Sequence, residues 1–270
     1  MAGRLMCCAI VLCAAGSLRA EEARAPRMAR TLESSESWYY QLSLQDKPFG
    51  LGKLTLVPMT VSSGAEVQID LPGVKKSHKT ETTQTYYVMT ANLSATAPTG
   101  QHVTGEVDAR ITSAFAPEQV KLKRTVAGPD GKVMLVAELT ADITSSGIEA
   151  TMVTNGKESK QTLPLPNVPM VFGVEAYVEL CALDSLDGAV IHEFNPQSAT
   201  PLELHAKVTP KDDGTEVQLT RTDGVPAYVI ELDKAGRLTR WSEGPNAPSA
   251  VRITKEAYEK LEAEEKTNDE

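Results

Sequence analysis

From Trp38 to Trp241 the chain alternates apolar and polar residues, segment after segment, with turn residues between the segments. Side chains on an extended strand point to opposite faces with period two, so this alternation makes strands with one buried and one wet face. Parallel strands covered on both sides would read as continuous apolar runs. The pattern therefore predicts a mainly β chain. It holds roughly twelve such segments, more than a flat open sheet carries without curling or splitting. The expected architecture is one large, strongly curved antiparallel sheet, an open half-barrel, over residues 37–253.

The first strand begins abruptly, with Trp38, Tyr40, Leu42 and Leu44 on one face and Tyr39, Gln41, Ser43 and Gln45 on the other. Asp46 to Gly50 supplies a turn of about five residues, after which Leu54 and Leu56 resume the alternation. Val67, Ile69 and Leu71 form a further segment closed by Pro72-Gly73, and Tyr87, Met89, Ala91 and Leu93 another. Val103, Val107, Ala109 and Ile111 follow the same grammar. Gly128-Pro129-Asp130-Gly131, Asn155-Gly156, Asp213-Gly214, Asp223-Gly224 and Ala235-Gly236 punctuate the later strands, and Asn-Gly favours the left-handed angles of a hairpin turn.

Two segments depart from period two. In Gly173 to Leu183, Val174, Tyr177, Val178 and Cys181 fall at i, i+3, i+4 and i+7, the stripe of an amphipathic helix. Pro164, Pro166 and Pro169 precede it as an extended connector, so the helix is expected to lie on or in the curved sheet. A second helix is expected from Thr254, an N-cap residue, through Ala257, Tyr258 and Leu261 into an acidic end, over residues 254–270.

The first 20 residues have the form of a signal peptide: Arg4, the apolar run Leu5 to Ala15, and the small residue Ala20 as a cleavage site. Cleavage after Ser17 is an alternative. The run is shorter than the roughly 20 apolar residues that span a bilayer. Secretion or export to a periplasm is the expected location, with residues 21–36 a flexible lead-in. Cys7, Cys8 and Cys13 would leave with the signal, and Cys181, on the apolar helical stripe, is expected to be packed core. Losing Arg4 and Arg19 would take the net charge from −9 to −11. That balance argues against nucleic acid and anionic headgroups as partners.

No phosphate-binding glycine loop, nucleophile elbow or calcium loop is present, and no cofactor is implied. His192-Glu193 resembles half of a zinc-protease helix without its second histidine. His205 would approach His192 only if their strands pair, and two imidazoles make an incomplete metal site. Asn92-Leu93-Ser94 matches a glycosylation sequon at an ordinary strand position.

The opening hairpin, Trp38-Tyr39-Tyr40 with Pro48-Phe49-Gly50-Leu51-Gly52, and the closing one, Gly224 to Tyr228 with Asp233-Lys234-Ala235-Gly236-Arg237-Leu238, resemble uncharacterised bacterial envelope proteins. Phe49 and Leu51 stand where that pattern has Lys and Tyr. The resemblance implies a curved sheet wrapped partly around a helix, similar to the periplasmic lipoprotein-carrier fold, and brings no catalytic residues. The favoured reading is a non-enzymatic envelope protein that offers Trp38, Tyr40, Leu42, Leu54 and Leu56 on a concave face to a lipid, an acyl chain or a polypeptide segment. A hydrolase with dispersed polar residues is the alternative. N-terminal sequencing of the exported protein is expected to begin at Glu21; an intact Met1 would instead mark a retained anchor.

Overall fold

The computed structural model describes residues 26–45, 47–71, 74–195, 200–244 and 247–268, with side chains for all of these except 63–82 and 266–268. The reading of residues 1–20 as a signal lies outside the described residues.

Among the described residues, fifteen strands form one sheet. They are β1 (Glu36–Leu44), β2 (Lys47–Leu71), β3 (Val74–Thr96), β4 (His102–Thr112), β5 (Pro117–Ala127), β6 (Val133–Thr144), β7 (Gly147–Thr154) and β8 (Lys157–Leu163). After β9 (Met170–Val171) come two short helices, α1 (Val174–Leu180) and α2 (Leu183–Leu186). The rest is β10 (Val190–Asn195), β11 (Thr200–Lys211), β12 (Gly214–Arg221), β13 (Pro226–Asp233), β14 (Leu238–Ser242), β15 (Ser249–Ile253) and α3 (Lys255–Asn268).

The order across the sheet is β8 to β1 in reverse, then β15 down to β9. The first strand thus lies in the middle, paired with β2 on one side and the last strand on the other. Every pairing is antiparallel except β9 with β10. The sheet stays open between β8 and β9, which residues 164–169 join. Pro164, Pro166 and Pro169 lie at that seam, and a proline has no N–H to donate to a ladder. The outer strand β8 carries Lys157, Glu158 and Lys160 exposed, a composition that blunts an unpaired edge.

Several expected boundaries move. The opening turn is shorter than the five residues expected, because pairing runs on to Leu44 opposite Lys47, with a bulge at Leu42/Ser43. The segments at 54–56 and 67–71 are one strand, with Pro58 inside it. That proline is tolerated because β1 leaves β2 at Leu56, so one edge of β2 is free there. Past Leu56 and Tyr86 the two long strands pair only with each other, in a ribbon ending at Leu71 opposite Val74. The inward and outward assignment of Val67, Ile69 and Leu71 lies outside the described side chains. Beyond the roughly twelve segments legible as alternation, strands as short as β9 are too brief to show any. The turn assigned to Asp213-Gly214 sits one residue earlier, since Lys211 faces Gly214. Asn155 and Gly156 do take left-handed angles, φ 48° and 78°, as their hairpin requires.

The helix expected over 173–183 ends at Leu180, and α2 follows after a break. Gly173 caps α1 with φ 74°, a left-handed angle that favours glycine, and a β-carbon there would displace the flexible end of Met89. Alpha1 packs into the concavity. Phe115 bridges Tyr87 and Tyr177, with ring centroids 5.8 and 5.7 Å apart, and tilted aromatic pairs of this kind add to the burial itself. Helix α3 lies on the opposite face, capped by Thr254 Oγ1 accepting from the Ala257 N–H at 3.2 Å and packed by Tyr258 against Tyr39.

Within the lead-in, residues 27–32 make hydrogen bonds to the body of the fold. The Ala29 N–H donates to the Leu180 carbonyl at 2.7 Å, the Ala182 N–H to the Arg27 carbonyl at 2.7 Å, and the Leu32 N–H to the Tyr87 hydroxyl at 3.2 Å. This strap closes over the C-terminal end of α1. Beneath it, Glu179, whose side chain is 1% exposed, accepts from the Trp38 indole N–H at 2.7 Å and pairs with Arg30 at 3.1 Å and Arg252 at 3.4 Å. Strap, first strand, helix and last strand thus meet at one carboxylate. Glu179→Ala is expected to cost about 3 kcal/mol by stranding the indole and the half-buried guanidinium; denaturant unfolding with unchanged m would measure it.

Candidate functional site in the concave face

Register builds the site. One row of cross-strand neighbours runs from Leu54 through Ala91, Val107, Leu122 and Leu139 to Met152. Beside it a second row runs from Tyr40 through Gly52, Leu93, Gly105 and Arg124 to Ala137. Both rows line an open groove of about 520 Å³ next to α1. The first row supplies an apolar floor. The second is hollowed by its two glycines, neither with a positive φ. A β-carbon added at Gly105 would meet only Leu93, at 3.5 Å, so that volume is room and not the close approach of another backbone.

Of the five residues singled out from sequence, Tyr40, Leu42 and Leu54 line this groove. Trp38 and Leu56 do not: both have no exposed surface and belong to the core under α1, Trp38 held by Glu179. Strand parity alone put all five on one face, and it could not say which part of that face the helix covers.

Two polar atoms in the groove wall are buried without a partner, the Tyr40 hydroxyl and the Trp241 indole nitrogen. Such groups cost free energy unless something bonds them. Trp241 and Glu175 also line an adjoining, more polar compartment of about 580 Å³ that shares Leu54, Ala91, Val107 and Leu122 with the groove. There the Tyr228 hydroxyl donates to Glu193 at 2.9 Å, Glu243 stands at the exposed side, and the Tyr228 and Trp241 rings are 6.5 Å apart. Burial pushes the Glu193 carboxyl up to about 8, against the pull of the Tyr228 hydrogen bond. Burial likewise raises Glu175, and Glu243 adds to it. Sequence reading missed this cluster, because its members come from α1, β10, β13 and the end of β14, with no common spacing.

The other candidates fall elsewhere. Cys181 is buried at the end of α1, its sulfur 3.8 Å from that of Met28, and burial pushes its thiol up to about 12. Strands β10 and β11 do pair, and His192 and His205 both approach Glu203, at 3.6 and 3.0 Å. Among the described residues no group of three or more metal-ligating side chains is assembled. No described helix is long and apolar enough to cross a membrane, which says nothing of strands.

No family model and no curated protein matches the chain. Among solved structures it is similar to a β-barrel-like protein of a domain of unknown function from Brucella abortus, with 10% identity, a TM-score of 0.46, and 82% of this chain and 96% of that chain covered. That relative is an uncharacterised bacterial β protein, and nothing in its description bears on a ligand.

A carboxyl raised by folding keeps its proton in the native state after the unfolded chain has lost it. Stability is therefore fully present below the unfolded value, near 4.5, and declines as pH rises toward about 8. Glu193→Gln is expected to flatten this decline, as chemical unfolding between pH 5 and pH 8 would measure.

Proposed function

We propose that this chain is a non-enzymatic binding protein, acting after export in the periplasm or outside the cell, that holds an apolar chain in its concave groove. The observation that supports the reading is the groove: six cross-strand neighbours from Leu54 to Met152 form a continuous apolar floor, beside glycines that leave it open. Its volume of about 520 Å³ falls in the range of small-molecule sites, roughly 300–1,000 Å³.

An acyl chain suits it better than a polypeptide. The backbone groups of the lining strands are already used in the ladders, so a peptide would bring N–H and C=O groups with few partners. A hydrocarbon needs none, and its head can use the two unpartnered donors at Tyr40 and Trp241.

Gly105→Ile is the direct test. A β-branched residue suits a strand and has room for its first carbon, while its outer carbons enter the groove. Mass spectrometry of organic extracts from the natively purified protein is expected to find an acyl-chain compound with the wild type and none with the variant, at an undiminished melting temperature. A wild-type protein that carries no such compound and binds no fluorescent acyl probe would end this reading.

A further inference from the structure

The groove and the polar compartment beside it form one amphipathic space; three carboxyls and one guanidinium, that of Arg221, line the polar side, while Lys53, Lys123 and Arg124 stand in the groove wall with Glu106 and Glu138. Glu175, Glu193 and Glu243 all line that compartment, and no described lysine, arginine or histidine lies within ion-pair distance of any of them. Carboxyls removed from water are ordinarily paired or protonated. The aromatic faces of Tyr228 and Trp241 stand among them, a surround that attracts organic cations. Independently, Tyr40, 5% exposed, lines the groove beside Glu175 with its hydroxyl unpartnered, and Glu175 is the charge that acts on it most. A phenol oxygen there can accept from an ammonium group, while the Trp241 N–H can donate to an oxygen of the ligand.

Resting on the groove reading above, we infer that the ligand is an amphiphile with a protonated amine head: its chain lies on the Leu54 to Met152 floor, and its ammonium group sits among Glu175, Glu193 and Glu243, bounded by Tyr40, Tyr228 and Trp241. The compartment then favours an ammonium head over the carboxylate of a fatty acid of the same length, which would stand among three carboxyls that either share its sign or hold a proton. The other groups facing the compartment are Asn195 of β10 and Arg221 at the end of β12, the latter exposed; the floor strands contribute Leu54, Met89, Ala91, Val107 and Leu122, none of which titrates.

Proton linkage follows from the same geometry. Glu193 holds its proton to about pH 8 in the empty protein. An alkylammonium, titrating like lysine near about 10.4, stays charged throughout the range from pH 5 to pH 8. Binding it displaces the carboxyl protons, so affinity for the amine rises with pH, and protons are released on binding.

The experiment uses three probes of one chain length below their micelle concentrations, dodecylamine, dodecanol and dodecanoate, titrated calorimetrically into the full-length exported protein. The amine is expected to bind about tenfold or more tightly than the alcohol at pH 8 and the carboxylate weakest, a tenfold ratio being about 1.4 kcal/mol. In the double variant Glu175→Gln/Glu193→Gln the amine-to-alcohol ratio is expected to fall toward one, with folding checked by thermal melting. Equal or tighter binding of dodecanoate overturns the head-group inference and leaves the groove reading standing. Failure of all three to bind overturns both. Dodecylamine binding that persists in Gly105→Ile is adsorption to an acidic surface, and it too overturns the inference.

Discussion

The buried carboxylate of Glu179 is the point on which the arrangement of this molecule depends. A curved sheet has an apolar concave face that must be covered, and a helix as short as α1 has little to hold it there alone. Glu179 fixes it by accepting the indole N–H of the central strand and pairing with arginines from the strap and from the last strand. Burial opposes the charge, and Arg252 and the indole favour it, so the site holds only while all its partners are present. Its effect is as much positional as energetic, because it decides which part of the concave face α1 covers.

What the helix leaves uncovered is the groove. Under α1 the row from Leu56 through Met89 and Ala109 to Val120 is fully packed. One and two rows further along, the same strands present Leu54 to Met152 and then the row with Gly52 and Gly105, which line the groove with Glu175 of α1 at its side. Core and groove are therefore neighbouring registers of a single sheet face. The polar compartment forms where α1, β10, β13 and β14 come together beside the groove, which explains how carboxyls come to stand against an apolar floor.

The strands were legible because alternation is a local signal: Trp38, Tyr40 and Leu42 face the concavity just as their parity requires. The helical stripe of 173–183 was legible for the same reason, although its break after Leu180 was not, since Cys181 continues the apolar period while its backbone is already extended. The strap was not legible because Arg27 and Arg30 look solvated in sequence, whereas residues 27–30 bond to partners about 150 residues away, as in Arg30 with Glu179, and Leu32 to Tyr87. Of the five residues expected on the concave face, Tyr40, Leu42 and Leu54 line the groove and Trp38 and Leu56 lie in the core; parity had no means of bringing in Glu175, Glu193, Tyr228 or Glu243.

By itself, then, the sequence determined a mainly β, antiparallel and strongly curved sheet with a helix inserted after a proline-rich connector, because periodicity and turn chemistry act over a few residues. Only the tertiary structure decided that the first strand lies in the middle, that the sheet stays open at the proline seam, and that three carboxyls with no described ion-pair partner line one compartment beside an apolar groove. Those outcomes depend on contacts between residues far apart in the chain, and no local pattern encodes which rows of a shared face a helix will cover.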